Sequence, residues 1–284
     1  MFDIVIGSGT GFITASSFGF RHQSIQSQPF DFYSKLSQEV FCRASIQKLV
    51  AHGKHSSLYD EEALQRLLLQ RFGQGLTLSS VSPKLLGVTK RNHDGGIFLL
   101  RNYEAKDTML SPGESGWNVV EAIRACIASP LHLPPFEKGS NVYRCAPAKF
   151  NNPTKLLIDE LQELSGRRLS DFVDVVVTLG TGGSQYEVLE DANLMEGDIL
   201  SRIMAPSIME ESREVEVVHR LVKQLQEQER RDEESPFEYY YFNPPLSIFH
   251  RIAADITTLE NIRKIAEPAS DGAEFRSLCR KLMK

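Results

Sequence analysis

The chain has 284 residues, 41% of them hydrophobic, with 37 acidic against 32 basic side chains and a formal net charge of −5. That is enough apolar material for one large domain or two small ones. The acidic excess, with no basic pair growing into a patch, argues against phosphate neutralisation and so against a nucleic-acid partner. No apolar run reaches the roughly 18 residues that span a bilayer, and no basic flank marks the first residues as a signal peptide. The expectation is a cytoplasmic protein with no transmembrane segment.

Met1 to Ala15 (MFDIVIGSGTGFITA) reads as an apolar strand, a glycine-rich turn and the start of a helix. A strand apolar throughout suits a parallel sheet buried on both faces, and in doubly wound α/β folds the turn after such a strand is where ligands and nucleophiles collect. The turn Gly7, Ser8, Gly9, Thr10, Gly11 admits three readings. As a dinucleotide fingerprint it fails at the third glycine, which is Phe12, and no acidic residue closes a second strand about 20 residues later. As a nucleophile elbow of the form GxSxG its outer glycines fit, but the central position is Gly9. The third reading is a structural glycine turn.

Further along, Tyr59 to Gly73 carries acids in its first turn, apolar Leu64, Leu67, Leu68 and Phe72, and a glycine stop, which predicts an amphipathic helix. Leu85 to Thr89 and Ile97 to Tyr103 read as two strands of a hairpin, with Asp94 as a turn residue between them. A helix is expected from Trp117 to Ala128, ended by Pro130. Another is expected to start at Pro153, capped by Asn152, with Gly166 just beyond its end and Leu157, Leu161 and Leu164 as its buried stripe. Phe172 to Leu179 is an apolar strand ending at Gly180, Thr181, Gly182 and Gly183. Glu214 to Arg231 is an amphipathic helix with Val215, Val218, Val222 and Leu225 on one face, followed by an aromatic strand at Tyr239 to Phe242. Closing helices are expected at Ile248 to Ile265 and Phe275 to Met283.

Two constellations carry no chemistry at this level. His52 and His55 have a metal-like spacing, yet no carboxylate or cysteine pair accompanies them, so they read as exposed polar residues. Cys42, Cys126, Cys145 and Cys279 lack CxxC spacing and are expected as reduced thiols, with neither a zinc site nor a disulfide framework. No cofactor and no metal are expected.

Taken in order, these segments resemble the patatin-like phospholipases, serine acyl hydrolases that act on lipids. FDIVIGSGTGFITA is similar to the family's strand and elbow, FDxIxGTSTGGxxA. YDEEALQRLLLQRFG resembles the helix before its central hairpin, and FLLRNY its FRNY. GWNVVEAIRACIASPLHLPP resembles the segment that precedes the catalytic acid. VYRCAPAKFNNP matches the frame of DGGxxxNNP through Asn151, Asn152 and Pro153, and VTLGTGG resembles SLGTG through Gly180, Thr181 and Gly182. YYYFNPPL looks like the tail of the fungal-type members.

The resemblance implies a three-layer α/β fold with a mainly parallel central sheet in residues 1–205, lacking the family's first strand and oxyanion loop. A helical C-terminal extension, residues 206–284, is expected to pack on the same domain. It also implies where catalysis would sit. The family uses a serine nucleophile, an aspartate that takes its proton, and a DGGGxRG loop whose amides hold the oxyanion, because a hydroxyl needs a base and the anionic intermediate needs donors. Carried over, the nucleophile falls on Gly9 and the acid on Cys145, so the expected protein is a catalytically degenerate relative. It is expected to retain a lipid or fatty-acyl ligand, with peripheral membrane contact as a further expectation. The rivals are an active lipid hydrolase in which Ser8 or another residue substitutes, a fragment of a longer enzyme, and a nucleotide-binding protein using the Gly7 to Gly11 turn.

Overall fold

A computed structural model describes residues 2–19, 29–41, 57–92, 96–105, 112–130, 132–182, 199–232, 237–246 and 256–283. His52, His55 and Asp94 lie outside these residues, as does the start of the helix expected from Ile248. The chain divides into two compact units, one of Phe2–Pro153 and one of Thr154–Lys284. The boundary expected at 205/206 falls inside a long helix of the second unit.

The first unit holds β1 (Ile4–Ser8), α1 (Gly11–Gly19), α2 (Pro29–Leu36), α3 (Glu61–Phe72), β2 (Lys84–Arg91), β3 (Phe98–Arg101), β4 (Gly113–Glu114), α4 (Val119–Ile127), β5 (Phe136–Lys138) and β6 (Asn141–Cys145). Local chemistry sets the helix ends. Asp60 accepts from the Ala63 amide at 3.0 Å to open α3, and the Gly73 amide closes it on the Leu69 carbonyl. Asn118 caps α4 by accepting from the Val120 amide at 2.9 Å. Both helices fall where the sequence pattern places them.

The six strands form a mixed sheet rather than the mainly parallel one expected. β1–β2 and β3–β4 are parallel, while β2–β3, β2–β6 and β5–β6 are antiparallel. Continuous apolar runs suggested parallel strands because those are buried on both faces. β2 is buried from Leu85 to Thr89 for another reason: it is the central strand, paired along both edges. β3 takes one edge, with Thr89 opposite Phe98, and β1 and β6 share the other, with Ser8 opposite Val88 and Cys145 opposite Thr89. The core of this unit gathers Phe12 and Ile13 of α1, Leu64 and Leu68 of α3, Ile123 of α4, and Trp117.

The second unit holds α5 (Thr154–Ser165), β7 (Val175–Leu179), α6 (Ile199–Asp232), β8 (Glu238–Phe242), α7 (Ile256–Ser270) and α8 (Ala273–Leu282). β7 and β8 pair in parallel from Val175 opposite Glu238 to Leu179 opposite Phe242. A small core of Ile158, Leu169, Val176, Val218, Val222 and Phe237 lies beside them. α5 begins at Thr154, one residue later than expected, and its stripe is rotated. Ile158 is buried and Leu161 packs on the core, but Leu164 is 40% exposed. The cause is polar: the Thr154 hydroxyl bonds the Thr178 hydroxyl of β7 at 2.6 Å, turning a residue the apolar pattern ignores towards the interior. Among the described residues no helix is long and apolar enough to cross a membrane.

Candidate functional site

The turn between β1 and α1 has the backbone of a strand-to-helix elbow. Gly9 sits at its apex with φ +53°, the left-handed region that a side chain enters only under strain. The Phe12 amide returns to the Gly9 carbonyl and the Ile13 amide to the Thr10 carbonyl, both at 3.0 Å, starting the helix at once. This sharp reversal brings α1 against the end of β1. A Cβ on Gly7 would lie 2.5 Å from the Phe12 Cα, so only glycine fits there. By contrast, a Cβ on Gly9 or Gly11 would meet nothing within 4 Å. The apex is therefore open, and Gly9 puts no side chain into it.

Ser8 lies beside the apex rather than at it. It is the last paired residue of β1, opposite Val88, and is half-buried in the strand. Thr10 is exposed, and its carbonyl accepts a hydrogen bond from the Tyr33 hydroxyl at 2.8 Å. Thr14 donates in turn to that hydroxyl at 2.9 Å, so α2 fastens the turn from outside. Burial pushes the Tyr33 phenol further above its ordinary value, so the proton it donates to Thr10 is held more firmly still.

Cys145 meets this turn through the sheet. β1 runs with β2 and ends at Ser8 beside Val88, whereas β6 runs against β2 and ends at Cys145 beside Thr89. The carboxyl ends of the two strands thus meet head to head across neighbouring residues of β2. The two positions that the family resemblance singles out, Gly9 and Cys145, follow from and complete those two strand ends. Thr89 fixes the junction: its hydroxyl lies 2.7 Å from the Arg144 carbonyl and 3.0 Å from the Ala125 carbonyl of α4. The Cys145 amide donates to the Ala128 carbonyl at 3.0 Å, which ties β6 to the end of α4.

The second thiol at this junction, Cys126, belongs to α4 and is fully buried. A Cβ on Gly87 would come within 2.8 Å of its Sγ and 2.9 Å of the Phe12 ring, so Gly87 opens the space in which both seat. Burial, and then the neighbouring Cys145, pushes the Cys126 thiol well above its ordinary range. Neither Thr89 nor Cys126 was evident from the sequence pattern. An isolated glycine inside β2 was the available signal, because a strand glycine marks a close approach.

The remaining motif residues serve the backbone. Asn151 closes a short 3-10 turn on the Ala148 carbonyl, Asn152 is buried, and Pro153 ends the first unit. In the second unit, Gly180 bonds the Phe242 carbonyl at 2.8 Å and Gly182 bonds the Asn243 side-chain oxygen at 2.9 Å, while Thr181 is exposed. A Cβ on Gly180 would run into Asn243, and one on Gly182 into Leu246, so these glycines let the segment after β8 close over the turn. Asn243 continues to the Tyr241 hydroxyl at 2.8 Å, which donates to Glu216 of α6 at 2.8 Å.

Among the described residues no three His, Cys, Asp or Glu side chains group as metal ligands. A groove of about 750 Å³ runs along the outer face of α3, lined by Glu61, Gln65, Arg66, Leu69 and Gln70; no residue of the turn lines it. No known protein-family model and no curated protein matches the chain.

Proposed function

We propose that this chain is a catalytically silent relative of the patatin-like lipid acyl hydrolases, acting by holding a lipid or fatty-acyl group rather than by cleaving one. One observation supports the reading above the others. A strand-to-helix elbow with a left-handed apex at Gly9 meets the end of β6 at Cys145, the arrangement in which an acyl hydrolase needs its nucleophile and base side by side. On this reading the frame of that chemistry is kept and its two reacting groups are replaced by a hydrogen atom and a thiol. Loss of a nucleophile alone lowers turnover on the order of 10⁶-fold in a serine protease. Binding does not depend on those groups, because an apolar acyl chain is held by the area it removes from water.

A serine-directed fluorophosphonate probe and a short-chain p-nitrophenyl ester test the first half. No specific labelling and no turnover above buffer are expected. Labelling abolished by Ser8→Ala would replace this reading with an active hydrolase built on Ser8. A fluorescent fatty acid titrated into the full chain tests the second half, with saturable binding that unlabelled oleate displaces as the expected result. Absence of saturable binding removes the lipid role.

A further inference from the structure

Cys126 and Cys145 lie nineteen positions apart in sequence but share one face of the sheet. Residues opposite one another in an antiparallel pair point the same way, so Cys145 projects to the face of its partner Thr89. The Thr89 hydroxyl reaches the Ala125 carbonyl, which identifies that face as the one covered by α4. Gly87, two residues earlier on β2, opens onto the same face, and the Cys126 sulfur occupies the space above it. The two backbones also touch: Thr89 sits between the carbonyls of Ala125 and Arg144, the residues just before the two cysteines, and the Cys145 amide bonds Ala128. Their access differs, since Cys126 is sealed and Cys145 is half-buried at a strand end.

We propose that Cys126 and Cys145 form a reversible disulfide pair, closed by exchange with a small-molecule disulfide of the glutathione type. This goes beyond the lipid reading and stands or falls independently of it. In the first step the Cys145 thiolate attacks one sulfur of oxidised glutathione, forming a mixed disulfide and releasing one glutathione thiolate. In the second, the Cys126 thiolate attacks the Cys145 sulfur and releases the other. The two protein thiols give up two protons and two electrons, and one glutathione disulfide is reduced to two thiols. The order follows from access, because Cys145 is half-buried and Cys126 is sealed. The second step is the slow one, as burial holds the Cys126 thiol in its protonated form. Closure ties the last turn of α4 to the end of β6 and removes the half-exposed thiol next to the Gly9 turn.

The test treats the full chain with oxidised glutathione, quenches in acid, alkylates free thiols and maps peptides without reduction. The expected product is a Cys126–Cys145 linked peptide pair, reversed by dithiothreitol, with its rate of closure rising about tenfold per pH unit while Cys126 remains mostly protonated. Cys126→Ser is expected to stop at glutathione on Cys145. Cys145→Ser, which leaves the buried site intact, is expected to leave Cys126 unmodified. A wild-type chain that retains glutathione on Cys145 without closing overturns the proposal. So does a chain in which Cys145 is not modified, or one in which the new bond joins Cys42 or Cys279.

Discussion

Trp117 in the first unit and Tyr241 in the second are both aromatic anchors, but they are anchored differently. Trp117 is 1% exposed and packs edge-on against Tyr143 at 4.9 Å, inside an apolar core to which α1, α2, α3 and α4 all contribute. Tyr241 is half-buried beneath the His219 ring at 3.9 Å, and its hydroxyl links Asn243 to Glu216. His219 also meets the Tyr239 hydroxyl at 3.2 Å, and burial pushes that phenol up to about 12. The first unit therefore leans mainly on shape and excluded water, with the half-buried His132 adding a pH-sensitive group. The second has a small core, and its layer of hydrogen-bonded aromatic and ionisable groups adds directional and pH-sensitive stability.

The largest effect is expected where shape matters most. Gly7→Val places a side chain against the backbone of Phe12, which cannot give way without moving α1, and should cost about 3 kcal/mol. Urea unfolding followed by circular dichroism measures the loss, and hydrogen exchange should show it in β1 and β2 while β7 and β8 keep their protection. Equal loss in both units would erase the contrast. Next is Asn243→Ala, which leaves the Gly182 amide and the Tyr241 hydroxyl each without the Asn243 contact, for about 1 to 2 kcal/mol. Here the protection of β7 and β8 should fall and that of β1 and β2 should not.

The smallest effect sharpens the pH difference. Burial holds the His219 ring below its ordinary value of 6.5, ahead of the opposing pull of Glu216 and the smaller effects of Lys223, Arg220 and Glu274. The unfolded chain therefore takes up the proton first as pH falls below 6.5. Stability is full above that value and declines as pH drops through the depressed native value. His219→Gln should flatten this slope for β7 and β8 in urea titrations between pH 7 and 5. His132 of the first unit is also lowered by burial and contributes a slope of the same sign there, so the readout has to be local rather than global.

Much of the first unit is legible because its signals are local. The Asp60 cap, the Gly73 stop and the antiparallel pairing of β2 with β3 follow from neighbouring residues. The direction of β6 is not local: it depends on which edge of β2 remained free, and nothing in NVYRC states that. The consequence is that Cys145 can be aligned to a family position from its NNP frame, whereas its meeting with Thr89 and Cys126 requires the sheet. In the second unit the apolar rule misled at α5, since Thr154 and Glu160 are buried and Leu164 is not. The long α6 was expected only from Glu214, because Pro206 interrupts the pattern of its first half.

Gly9 has a consequence on the scale of mutation rather than of folding. A residue with a Cβ held at a left-handed apex stores on the order of 1 kcal/mol or more, and the turn here carries none of that load. Its shape is kept instead by Gly7 against Phe12 and by the Tyr33 hydroxyl on the Thr10 carbonyl. Because no atom lies within 4 Å of where a Gly9 side chain would begin, the vacancy is bounded by backbone strain and not by collision. Gly9→Ser would thus set a hydroxyl at the apex without a collision at its Cβ, at the cost of left-handed backbone strain.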